Sequence, residues 1–247
     1  MLGLDDAFRL GVIEEQHHRR FVVHSPADIF LTVDAARLAK ADELYELGKY
    51  TRAADLYGDV YFERQSASSA RALLRQADCL FKANKFAEAR LLYQEFSDSF
   101  PTHAEVYTAV FRYAVCLFEE SLGPQYDQTE TIQSIDAFRR FLEKYPKSER
   151  YADAIDYIQK AQYKLIEKRF RTGYIYYKMR DYSSALMYFK EVAELGNTDR
   201  LDRESLYYSA LLLYKQKLKD QAAVEYDRLK TKYPDSKEAT KLAKYFK

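Results

Sequence analysis

The residues able to do chemistry in this chain are few and poorly matched to one another. Three of its four histidines, His17, His18 and His24, fall near the N-terminus with no cysteine close by. Adjacent positions on a helix face different ways, so His17 and His18 do not form the start of a tetrahedral zinc site, and no metal is expected. His103 follows Pro101 and reads as an exposed turn residue. Glu119 and Glu120 are neighbours, and i,i+1 side chains on a helix do not face each other as paired acids must. The 7 glycines are scattered, so there is no loop to cradle a phosphate, and no nucleophile stands beside a base. The expectation is a protein without enzymatic activity or cofactor, whose reactive groups serve binding.

Charge gives a second clue. The net charge of +1 conceals 14 Lys and Arg against 21 Asp and Glu in residues 1–130, and 25 against 17 in residues 131–247. Solvated helix faces explain such an imbalance. So does a basic half turned toward an anionic partner. Nucleic-acid binding needs a continuous basic face, for which Lys160, Lys164, Lys168, Arg169 and Arg171 of the long helix are the candidates, and no nucleic-acid partner is expected. No run of 18 apolar residues exists, so no membrane-spanning helix is expected. Asp5, Asp6 and Arg9 interrupt the first apolar stretch, which therefore does not read as a signal peptide.

These residues must be positioned by helices. The 247 residues hold only 7 glycines and 5 prolines against 23 tyrosines and 15 phenylalanines. The longest uninterrupted pattern runs from Ser148 to Met179. Apolar residues recur there at helical spacing (Ala154, Ile158, Ala161, Leu165, Phe170, Tyr177), predicting one helix of about 30 residues, roughly 45 Å long. At the other end, Ser25-Pro26-Ala27-Asp28 has the form of a capped helix start, and Asp34 is a candidate cap for a following helix.

From Asp34 on, the chain repeats. A small residue recurs at Ala41, Ala77, Ala114, Gly173 and Ala210, followed four positions later by Tyr45, Phe81, Phe118, Tyr177 and Tyr214. A second small residue recurs at Ala53, Ala89, Ser134, Ala185 and Ala222, followed four later by Tyr57, Tyr93, Phe138, Phe189 and Tyr226. Turns are expected at Gly48-Lys49, Asn84-Lys85 and Arg180-Asp181. Small residues let two helices cross closely, and aromatics fill the wedge between successive pairs. Five copies over residues 35–240 resemble the tetratricopeptide repeat, and units of that kind must stack to bury their apolar faces. The expected fold is all-α: a superhelical solenoid of about five helical hairpins with one long central helix. Its expected divisions are an N-terminal extension, 1–33; an N-terminal array, 34–147, interrupted by an insertion at 120–131; and the long helix with the last two repeats, 148–247. Cys79 and Cys116 occupy equivalent places in neighbouring hairpins. First helices pack about 8–10 Å apart, too far for the roughly 7 Å Cα separation of a disulfide, so buried free thiols are expected.

The insertion with Tyr126-Asp127-Gln128-Thr129, the following IDAFRRFLEKYPKSE (135–149), and the long helix running into EKRFRTGYIYYKMRDYSSAL (167–186) form a specific combination. It resembles the BamD/YfiO family, outer-membrane lipoproteins of the β-barrel assembly machinery. The resemblance implies a scaffold on the periplasmic face of the outer membrane. Its implied partners are the periplasmic domains of the barrel insertase, other lipoproteins of the machinery and unfolded barrel proteins. It also implies a lipid anchor, which this sequence does not show, since no cysteine precedes Cys79. The alternatives are a periplasmic repeat scaffold for Tol-Pal and division coordination, suggested by Tyr233-Pro234-Asp235-Ser236, and a cytosolic adaptor for helical peptides.

Two candidate surfaces follow. The first helices should line a concave groove with Tyr45, Phe81, Phe111, Phe118, Tyr177 and Tyr214, large side chains that contact a peptide at low entropic cost. The carboxylate clamp of cytosolic adaptors is not expected, because Asp42 and Asp78 stand where it needs cations. The second surface combines Asp127, Gln128 and Thr129 of the insertion with Arg169, Arg171, Lys178, Arg180 and Arg203 of the basic half. Asp127 has a local role too, as a cap for the helix that follows.

Overall fold

The structure, a computed structural model, describes residues 26–62, 68–197 and 199–246, with side chains from residue 33 onward. His17, His18 and His24 therefore lie outside the described residues. All the described regular structure is helical: α1 (Pro26–Glu46), α2 (Tyr50–Phe62), α3 (Ser69–Lys82), α4 (Phe86–Ser99), α5 (Val106–Glu120), α6 (Thr129–Lys144), α7 (Tyr151–Lys178), α8 (Tyr182–Glu194), α9 (Arg200–Lys215), α10 (Lys219–Lys232) and α11 (Lys237–Ala243). From α1 to α10 each helix packs chiefly on its sequence neighbours, the pattern of a solenoid, while α11 folds back mainly onto α9. α7 is the long helix, with 28 residues. It pairs with α8 and also packs against α6, α5 and α9.

Each small residue read from the sequence lies at a helix crossing. Ala41, Ala77, Ala114 and Ala210 of the first helices are fully buried, as are Ala53, Ala89, Ser134, Ala185 and Ala222 of the second. Tyr57, Tyr93, Phe138 and Phe189, one turn beyond the second set, are fully buried as well. First helices end alike in four of the five hairpins. Gly48, Asn84, Arg180 and Lys217 adopt positive φ of 71°, 58°, 65° and 65°. The next residue then donates back across the turn: Lys49 to Leu44 O, Lys85 to Leu80 O, Asp181 to Tyr176 O, Leu218 to Leu213 O. This is the Schellman geometry, which satisfies carbonyls left over at a helix end. Three of these turns were legible in sequence; the one at Lys217 was not.

Two expectations need correcting. Asp34 does not start a helix. It lies within α1, which runs unbroken from Pro26, so the 33/34 division falls in mid-helix. The helix after the insertion opens at Thr129, with Gln128 at the capping position, while the cap bond itself comes from Asp127 one residue earlier, which accepts from the Thr129 amide.

Cys79 and Cys116 are buried free thiols. Burial, reinforced by Asp78 and by Glu120 respectively, pushes both pKa values up to about 12. Since the thiolate is the reactive form, both should resist a thiol reagent in the native protein at pH 8 and react together once guanidinium unfolds the chain. Ellman titration before and after denaturation reads this directly, and a fast native reaction at either thiol would contradict the packing.

Candidate protein-binding surfaces

The first-helix aromatics do not stand free in a groove. Tyr45 meets Tyr50 edge-on at 5.4 Å, Phe81 meets Phe86 at 5.4 Å, and Tyr177 tilts against Tyr182 at 6.3 Å. In each case the last turn of a first helix is stapled to the opening residue of its second helix. Phe118 packs on Tyr157 of α7, and Tyr214 on Tyr245 and Phe246 beyond α11. These five are partly buried and still offer an edge to solvent. Phe111 does not: it is 7% exposed and enclosed by Phe138, Phe141 and Tyr157, so it serves the core.

The carboxylates beside this surface hold a second device. Asp78 in α3 accepts from Tyr93 Oη of α4 at 2.8 Å and from Arg112 of the next hairpin. Asp42 in α1 repeats the pattern, accepting from Tyr57 of α2 and from Arg71 Nη2 of α3 at 2.6 Å. An Asp thus ties its own hairpin together and reaches a guanidinium on the following one. Burial, then Asp78, keeps the Tyr93 phenol well above its ordinary range. Burial works against the charge of Arg112, yet Tyr93 and Asp78 outweigh it and raise its pKa. These carboxylates are therefore not bare, as the sequence reading had them, but paired with a tyrosine and an arginine of the array itself. In the third hairpin Val115 follows Ala114 and Phe138 replaces the tyrosine, so acceptor and donor are lost together.

The insertion is a built loop. Gln128 is 4% exposed, and its side-chain amide donates to the carbonyls of Gly123 at 2.8 Å and Asp127 at 2.9 Å, while its Oε1 accepts from Thr131 Oγ1 at 2.8 Å. It fastens the loop from inside and is not available to a partner. Asp127 Oδ2 accepts from the Thr129 amide at 2.9 Å, and hydrogen bonding to Thr129 lowers its pKa. From the long helix, Lys164 donates to Ser121 O at 2.9 Å and to Ser121 Oγ at 2.6 Å, and Lys168 donates to Tyr126 O at 2.7 Å. Two lysines one turn apart thereby seat the loop on α7, leaving Leu122 and Tyr126 more than half exposed. Sequence reasoning saw these lysines only as part of the basic face of the long helix and missed this role. Their i,i+4 spacing was visible, but its target lies 42–43 residues away.

The basic candidates divide. Arg171 is committed to Glu167 at 2.7 Å, and Arg203 to Glu238 of α11 at 3.0 Å, where it also lies 6.0 Å from the Tyr233 ring. Arg169 approaches Glu191 at 3.9 Å. Lys178 lies 5.3 Å from the Tyr174 ring, and Arg180 occupies the turn; both are exposed, and no ion pair to either is found among the described residues. Among the described residues, no cluster of His, Cys, Asp and Glu could hold a metal, and no helix is long and apolar enough to cross a membrane.

The sequence model of the YfiO family, described as outer membrane lipoprotein, matches residues 38–210, and a tetratricopeptide-repeat model matches residues 204–236. A curated protein of Caulobacter vibrioides, outer membrane protein assembly factor BamD, is 28% identical over 185 residues, which cover 74% of this chain and 58% of that protein. The chain thus spans less than two thirds of that relative's length. Among solved structures, the TPR2AB-domain:pHSP90 complex of yeast Sti1 has a TM-score of 0.45 at 13% identity, covering 84% of this chain and 80% of that one. The MamA protein has 0.36 at 14%, covering 86% and 94%. Scores this low carry no argument about binding.

Proposed function

The chain belongs to the YfiO family of outer membrane lipoproteins, and from that premise we propose that it is a non-enzymatic scaffold in the assembly of outer-membrane β-barrel proteins. The carrying observation is the family match over residues 38–210, which takes in both the insertion and the helix that seats it. The proposed location is the periplasmic face of the outer membrane, with attachment through a lipid anchor. The partly exposed aromatics of the first two hairpins, Tyr45 and Phe81, are proposed to receive segments of unfolded barrel proteins. The seated loop and the free cations at the end of α7 are proposed to face the periplasmic domains of the insertase.

Lys178 and Arg180 supply the test, because neither is tied into an ion pair among the described residues. Rim charges act mainly on association rate and salt dependence. Lys178→Glu with Arg180→Glu should slow association with the insertase domain several-fold at low salt. The defect should shrink near 0.15 M, where the Debye length is about 8 Å. Surface plasmon resonance at two ionic strengths measures it. Equal kinetics at both would remove these residues from the interface. Failure of the native chain to capture the insertase at all, with capture of Tol-Pal components instead, would overturn the assembly reading in favour of envelope coordination.

A further inference from the structure

A cleft of about 550 Å³ opens between α7, α9 and α11, with Gln125 of the seated loop at its edge. Ligand sites of this size combine apolar walls with a few placed polar groups. Here Tyr174, Ile175 and Tyr207 supply apolar surface, and Ile175 is 58% exposed. The charged groups are balanced in number: Arg171, Arg200 and Lys241 against Glu167, Glu204 and Glu238. They are not balanced in exposure. The side chains of Arg171 and Arg200 are 50% and 51% exposed, whereas their partners Glu167 and Glu204 are 21% and 26% exposed. Glu238 is 20% exposed and held by Arg203. Arg171 spends both Nε and Nη2 on a single Glu167 oxygen, so one edge of its fork is used. Lys241 is exposed, and no carboxylate pairs with it among the described residues. The glutamates are drawn down against the helices and the cations stand forward around an apolar floor.

We propose that this cleft docks a segment of a partner polypeptide that carries a carboxylate beside a large apolar side chain. The apolar side chain enters over Ile175 and Tyr174. The carboxylate meets the unused edge of an arginine, a geometry that guanidinium favours over ammonium. The site is separate from the first-hairpin aromatics and does not include Arg180; Lys178, 5.3 Å from the Tyr174 ring, stands at its border. It rests on the reading of the chain as a scaffold but not on the identity of the insertase as the partner.

The test uses the full chain and two short fluorescein-labelled peptides, one with an Asp-Phe-Asp core and one with Lys-Phe-Lys, followed by anisotropy. The acidic probe should bind at least tenfold more tightly. Arg171→Gln with Arg200→Gln and Lys241→Gln should weaken it about tenfold, and Ile175→Asp should abolish it. Lys217→Gln with Lys219→Gln, exposed positions outside the cleft, should leave it unchanged. Equal binding of the two probes to the native chain overturns the proposal whatever the variants do. So does a loss in the Lys217 and Lys219 variant equal to that in the cleft variant. Insertase binding is measured in parallel: its failure with normal probe binding sinks the assembly reading alone, and the reverse result sinks the cleft alone.

Discussion

Asp78→Ala should lower folding stability by about 3–5 kcal/mol, the range for removing one partner of a buried charged pair. The carboxylate is the shared acceptor of Tyr93 Oη, on a fully buried ring, and of Arg112, whose side chain is 30% exposed. Without it, a buried phenol loses its acceptor and a guanidinium is left facing apolar surroundings. The equivalent change one hairpin earlier, Asp42→Ala, should cost less. Arg71 is 56% exposed there and can be solvated, so only the buried Tyr57 hydroxyl suffers, at about 1–3 kcal/mol. Urea unfolding followed at 222 nm gives both numbers. The third hairpin suggests the rescue, since Val115 and Phe138 occupy the corresponding places. Asp78→Val with Tyr93→Phe and Arg112→Met should recover most of the loss, because deleting every member of a polar network costs less than orphaning one. A loss below about 1 kcal/mol for Asp78→Ala, or no recovery in the triple variant, would mean that the network does not link the hairpins energetically.

That network also shows where sequence reading stops. The five hairpins, the long α7 and the ten small crossing residues were legible because each is a local pattern: a period of 3.6 residues, or a small residue one turn from an aromatic; the short α11 was not read. Asp42 and Asp78 were visible as the residues after Ala41 and Ala77, but their meaning was not. Their donors come from 15 residues away and from the next hairpin, 29 and 34 residues on. Read singly, an acid on a first helix looks like groove lining. Phe111 misled for a related reason. It lies three residues before Ala114, on the side of α5 that α6 and α7 cover, and the cover is contributed by Tyr157 from the following hairpin. Gln128 was singled out as part of a conspicuous motif, and the structure turns it inward. In each case the sequence placed the residue on the right helix or loop, while its surroundings were set by chain distant in sequence.

Gly173 is the case where a local signal carries a large consequence. Gly173→Leu should destabilise the protein by about 3 kcal/mol, at the upper end for overpacking a core. Gly173 takes the place filled by alanine in the other four hairpins, and the approach of α8 explains the difference. A Cβ at this position would lie 2.9 Å from Tyr188 Cβ, 3.3 Å from Phe189 Cε1 and 3.4 Å from the Ala185 carbonyl oxygen. Tyr188 cannot easily withdraw, because the offending atom is its Cβ and its ring stacks on Tyr176 at 5.7 Å. Relief requires α7 and α8 to separate along their crossing. Gly173→Ala should be milder. A gain of about 1 kcal/mol in helix propensity offsets part of the clash, leaving a net loss of about 1 kcal/mol. Gly58, inside α2, gives the opposite sign. A Cβ there would meet only the amide end of Gln76, at 2.6 Å, and that end can swing away. Gly58→Ala should therefore be neutral or stabilise the protein by up to about 1 kcal/mol. Thermal melts of the three variants separate the cases, since 1 kcal/mol moves the midpoint by about 2–4 °C in a chain of this size. Equal shifts for Gly58→Ala and Gly173→Ala would show that backbone freedom alone, and not the closeness of α7 to α8, sets the requirement for glycine at position 173.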